Sequence, residues 1–81
     1  MSKKKEIILY SMPECPPCNA LKTFLKEHKI TFKNLDVEFN LENREKLKES
    51  SGSTKVPYII IDGEPTLGFQ EERIRELLDI K

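Results

Sequence analysis

Cysteine occurs twice, glycine three times and tryptophan not at all in these 81 residues, and 14 Lys and Arg are matched by 14 Asp and Glu. Each shortage excludes something. A net charge of zero provides no field to hold a nucleic acid or an anionic lipid surface, so neither is expected as a partner. No apolar stretch approaches the ~20 residues that span a bilayer. The basic start Lys3-Lys4-Lys5 resembles the opening of a secretory signal. The apolar run behind it, Ile7-Ile8-Leu9-Tyr10, is too short for one, and Pro13 and Glu14 follow. A cytoplasmic location is therefore expected. Two cysteines are too few for a disulfide-rich secreted scaffold. In a reducing compartment, a pair so close in sequence is more often catalytic or metal-binding.

What is present is compact and patterned. Charged residues make up 35% of the chain, but both signs are interspersed among periodic apolar positions, which describes a solvated surface rather than disorder. The length lies near the lower limit for one hydrophobic core. No repeat, low-complexity tract or linker is visible, so a single domain over residues 1–81 is expected, as a monomer.

The apolar run within Lys5–Ser11 suits a central strand buried on both faces. From Cys15 the period changes: Leu21, Phe24, Leu25 and His28 fall at i, i+3, i+4 and i+7, a helical stripe. Pro16 and Pro17 are tolerated only in a first helical turn, so the helix starts at the cysteines. Ile30–Val37 reads as a second strand. Asn40 is placed to cap a second helix through about Lys48, with Leu41 and Leu47 as its anchors. A connection over Ser50–Thr54 follows. Val56–Ile61 reads as a third strand opened by Pro57, Asp62-Gly63 as a hairpin turn, Thr66-Leu67 as a short fourth strand, and about Gln70–Leu78 as a last helix striped by Ile74, Leu77 and Leu78. The order β-α-β-α-β-β-α predicts an α/β fold with a four-stranded mixed sheet flanked by helices.

The chemistry concentrates in Cys15-Pro16-Pro17-Cys18. A helix N-terminus offers free N–H donors and a partial positive charge, which stabilise a thiolate and raise the fraction able to attack a disulfide. Cys15 stands at the exposed end and reads as the nucleophile. Cys18, one turn inside, reads as the thiol that resolves the mixed disulfide. Both intervening residues lack an N–H, so the Cys18 amide is the nearest donor to the Cys15 sulfur, and the thiolate is expected to be less stabilised than with a non-proline there. Half of a zinc site is the main rival reading. Zinc needs four ligands, and the single histidine, His28, lies far down the helix as an expected helix-end residue. A structural disulfide closing so short a loop would remove little chain entropy. Pro57 after Val56 either merely opens a strand or holds a cis bond that turns the Val56 backbone outward for an added strand of substrate.

Tyr10–Cys18, Lys55-Val56-Pro57 and Gly68-Phe69, in this order and at these spacings, resemble a glutaredoxin over nearly the whole chain. The resemblance implies a minimal thioredoxin fold, a cis-Pro57 facing the dithiol, and reversible reduction of protein or small-molecule disulfides in cell redox homeostasis. It implies a substrate- or glutathione-binding surface of Tyr10, Met12, Pro16, Pro17, Lys55, Val56, Pro57, Gly68 and Phe69. Glutathione-using members usually carry a basic residue where Met12 stands, Thr where Lys55 stands, and a second Gly where Phe69 stands. Gly68-Phe69 is more similar to the glutaredoxin-like hydrogen donors of ribonucleotide reductase, which thioredoxin reductase reduces. The implied electron source is thus glutathione or a thioredoxin reductase, with no bound cofactor. The implied partners are disulfide-containing proteins, ribonucleotide reductase among them. Two other classes stay open at this level: a glutathione-assisted iron–sulfur carrier and a non-catalytic binding module.

Overall fold

The computed structural model describes residues 6–79. The basic residues Lys3 to Lys5, the last of which was expected to open the first strand, lie outside them. Seven elements follow in the predicted order: β1 (Ile7–Ser11), α1 (Pro16–Glu27), β2 (Lys33–Asp36), α2 (Leu41–Ser51), β3 (Tyr58–Ile61), β4 (Glu64–Leu67) and α3 (Glu71–Leu78). They build one mixed sheet in the order β2-β1-β3-β4, with β1 parallel to β2 and the other pairs antiparallel. Among the described residues no helix is long and apolar enough to cross a membrane.

β1 is central, and its alternate side chains feed two cores. Ile7 and Leu9 join Ile59 and Ile61 under α1 and α3, which contribute Leu21, Phe24, Leu25 and Ile74. Tyr10 meets Tyr58, Val37 and Leu47 of α2, with Ile8 and Ile60 partly buried beside them. A continuous apolar strand is therefore what two-sided burial requires.

The element ends differ from expectation for local reasons. The second strand is confined to Lys33–Asp36, because the end of α1 takes up Lys29 and Ile30. Lys29 adopts φ 57°, its amide donates to Lys26 O at 3.0 Å, and the Ile30 amide donates to Leu25 O at 2.9 Å. This is a Schellman closure with lysine in the position glycine usually fills. α2 runs three residues further than expected. Ser51 Oγ donates to Leu47 O at 2.9 Å, and Gly52 ends the helix at φ 81° with its amide on Lys48 O at 2.8 Å. Leu47 is fully buried, but Leu41, expected to anchor the same helix, is 72% exposed. Six residues of α-helix place the two about 120° apart around the axis, so only one can face the sheet.

Asp62 and Gly63 both have positive φ and join Ile61 to its partner Glu64, a two-residue hairpin whose twist matches the strands. β4 consequently starts at Glu64 rather than Thr66 and contains Pro65. It is an edge strand, where a missing N–H is tolerated. β3 begins at Tyr58, leaving Val56 and Pro57 ahead of the ladder.

Candidate active site

β1 ends at Ser11, and the chain turns through Met12–Glu14 to reach α1. The turn leaves from a fixed point. Ser11 is 1% exposed, its Oγ donates to Asn34 Oδ1 at 2.6 Å, and its carbonyl accepts from the Val37 amide at 3.0 Å. Cys15 is the N-cap of α1, with extended backbone (φ −133°, ψ 102°), and its carbonyl accepts the first helical bond from the Asn19 amide at 2.9 Å. Asn19 Nδ2 also reaches back to Pro13 O at 3.3 Å, closing the turn across the motif.

Pro16 and Pro17 occupy the first two helical positions, and no side chain caps the helix. No acidic residue lies in the first turn of α1, so the positive end of the helix is left facing the cysteines. The two residues differ in access. Cys18 is fully buried and Cys15 half-exposed. Their Cα atoms are 5.1 Å apart, and the sulfurs are joined as a disulfide. This arrangement can exchange two electrons: an accessible sulfur that a substrate can meet, and a shielded one that reaches only its neighbour.

The other expected site residues are distributed unevenly. Met12 and Val56 are half-buried and pack against the Tyr10–Val37–Leu47–Tyr58 cluster. Pro16, Pro17 and Lys55 are exposed. The Val56–Pro57 peptide bond is cis. Among the described residues, Val56 takes part in no hydrogen bond, and the strand ladder starts beyond it at Tyr58. Pro57 is fully buried and its carbonyl accepts from the Gly68 amide at 2.7 Å. Because Tyr10 pairs with Tyr58, this segment opens at the same end of the sheet as the cysteine turn. Tyr10 lies in the core at 5% exposure, its ring 6.0 Å from that of Tyr58. Phe69 is half-buried against the other core. Its ring lies 5.7 Å from Phe24, beneath which Arg75 sits at 5.2 Å.

His28 is the C-cap of α1, exposed, with its ring 4.5 Å from Phe24. The 12 residues of α1 separate it from Cys15, roughly 20 Å along the axis. Among the described residues no three His, Cys, Asp or Glu side chains converge as metal ligands would. Ser11 and Asn34 were not singled out from the sequence. A serine ending an apolar strand and an asparagine inside the neighbouring one were the available signal.

Comparison with known proteins extends this geometry. The family model for glutaredoxin matches residues 7–65. A glutaredoxin-like 8.6 kDa protein in the rubredoxin operon of Clostridium pasteurianum is 36% identical over 73 residues, covering 90% of this chain and 97% of that protein. A crystallised variant of a thioredoxin-like protein superposes with a TM-score of 0.88 at 37% identity, covering 94% of this chain and 97% of the other. The glutaredoxin of Archaeoglobus fulgidus superposes with a TM-score of 0.79 at 29% identity, covering 90% and 85%. The matched segment runs from the start of β1 into β4 and carries both cysteines, and on this ground the chain belongs to the glutaredoxin family of thiol–disulfide oxidoreductases.

Proposed function

We propose that the chain is a dithiol reductase of protein and small-molecule disulfides, with Cys15 as nucleophile and Cys18 as resolving thiol. The observation that carries this reading is the contrast between a half-exposed Cys15 at a helix N-terminus and a fully buried Cys18 within bonding reach of it. In the reduced protein the Cys15 thiolate attacks one sulfur of the substrate disulfide. The substrate S–S bond breaks, and the departing thiolate takes a proton from solvent. The Cys18 thiolate then attacks Cys15, the mixed disulfide breaks, and the second substrate thiol leaves. Two electrons pass to the substrate, and the Cys15–Cys18 disulfide remains.

That disulfide is reduced in turn by glutathione or by a thioredoxin reductase. The charge at the start of α3 favours the latter. Glu71 and Glu72 occupy its first turn, beside the Gly68-Phe69 segment, and oppose an anionic tripeptide there. Phe69, half-buried with its ring against Phe24, fills the position next to Gly68. The unpaired backbone of Val56 supports an extended substrate segment adding to the sheet at its open end. Disulfide-containing proteins in a reducing compartment are the corresponding partners, ribonucleotide reductase among them, with no resident cofactor. The test is NADPH oxidation with a small disulfide, comparing glutathione plus glutathione reductase with thioredoxin reductase alone. Turnover with thioredoxin reductase and little with glutathione is expected, and none with Cys15→Ser. Turnover by neither route would refute the reductase reading.

A further inference from the structure

Three large apolar side chains stand exposed among the described residues, and two of them, Phe39 (78%) and Leu41 (72%), are separated by one residue. Single exposed apolar residues need no explanation, but a pair held in one place does. These are held. The Asp36 carboxylate accepts from the Phe39 amide at 2.7 Å, Asn43 Nδ2 donates to the Asp36 carbonyl at 3.0 Å, and Asn40 Oδ1 accepts from the Asn43 amide at 3.0 Å. Phe39 and Leu41 thus flank a capped helix start rather than ride on a loose loop, which lowers the ordering cost of any contact they make.

Their position is also specific. Ser11 pairs with Asp36, and β1 and β2 are parallel, so the turn bearing Cys15 and the turn bearing Phe39 leave the same end of the sheet from adjacent strands. The half-buried Met12 rests on the cluster that contains Val37, two residues before Phe39. The exposed charges here are mainly acidic: Glu14 next to Cys15, and Glu38, Glu42 and Glu45 around the apolar pair, against the two cations Arg44 and Lys46 of that segment. Lys55 lies on the β3 side, beside Val56.

We propose that Phe39 and Leu41, framed by Glu38 and Glu42, form a docking surface for the substrate protein: a segment next to its disulfide that carries an apolar side chain flanked by Lys or Arg. This rests on the reductase reading and names its substrate class. The apolar side chain is buried against the pair, and the flanking cations meet the carboxylates, which speeds encounter and orients the substrate disulfide toward Cys15.

The test uses two synthetic peptides closed by one disulfide, identical except for Lys or Glu on either side of a leucine. Binding of their linear, thiol-blocked forms to the full chain is measured by fluorescence anisotropy, and their reduction by the pre-reduced protein by quenched-flow mass spectrometry. The Lys peptide is expected to bind and react about tenfold better at low salt, with the difference shrinking at high salt. Glu38→Gln with Glu42→Gln should remove the preference. Phe39→Ser with Leu41→Ser should weaken binding of both peptides at an unchanged thermal midpoint. Equal binding of the two peptides to the unmodified chain, or binding unaffected by the Phe39 and Leu41 changes, would overturn the proposal. So would sedimentation showing self-association that the same changes abolish, since a second copy would then occupy the surface. Failure of the pre-reduced protein to reduce hydroxyethyl disulfide would instead count against the reductase reading, and the binding data would still decide the docking surface.

Discussion

The Gly68 amide donates to the Pro57 carbonyl at 2.7 Å, tying the end of β4 to the segment that opens β3 beside the cysteine turn. Gly68 has φ 85°, and a Cβ built there meets no atom within 4 Å. The position therefore demands glycine for backbone conformation and not for space. Gly68→Ala should cost about 1–2 kcal/mol in urea unfolding, the penalty of a left-handed alanine. A cost near zero would show that the backbone relaxes and that the Pro57 link is dispensable.

The two leucines of α2 should separate cleanly. Leu47 is fully buried between the helix and the sheet, and Leu47→Ala should destabilise by about 3 kcal/mol through lost transfer energy and the cavity left behind. Leu41→Ala should change stability by less than about 0.5 kcal/mol, since it removes an exposed side chain. Chemical denaturation of both variants measures the difference.

The unequal access of the cysteines predicts unequal variants. Cys15→Ser should abolish disulfide reduction. Cys18→Ser should retain the first attack and accumulate a mixed disulfide with the substrate, visible as an added mass that dithiothreitol removes. Accumulation on Cys18 in a Cys15→Ser protein would reverse the assignment.

Pro17 leaves the second helical position without an N–H directed at the sulfurs. Pro17→Ala restores one donor, and alkylation of Cys15 by iodoacetamide at neutral pH should accelerate several-fold as the thiolate gains a hydrogen bond. An unchanged or slower rate would show that the restored amide does not serve the thiolate.

How much of this was legible beforehand differs from element to element. The α1 stripe and the unbroken run of β1 declared themselves because their periodicity reflects one-sided and two-sided burial. Asp62-Gly63 declared a hairpin because its backbone conformation restricts residue choice. The cysteine pair declared its chemistry, since proline beside it is possible only at a helix start. Element ends were less readable. Lys29 at positive φ and Ser51 bonding back along its helix are choices between nearly equal local conformations, which their neighbours decide. Leu41 is a surface residue because two leucines six positions apart in an otherwise polar helix define no stripe, and only packing selects which of them faces the sheet.

By itself the amino-acid sequence determined the order of elements, the location of the reactive pair at a helix start, and a family resemblance that the comparisons bear out. These are properties of neighbours along the chain: periodicity, missing amides, turn geometry. Only the tertiary structure decided which surfaces the chain keeps. It placed Tyr10 inside and leaned Phe69 half-buried against Phe24, buried Cys18 while leaving Cys15 open, tied Ser11 to Asn34 across 23 residues, and left Phe39 and Leu41 in solvent on the rim that carries the cysteines. Burial depends on what packs against a residue from distant parts of the chain, and that partner is set by sheet register and helix phase together, which no local pattern encodes.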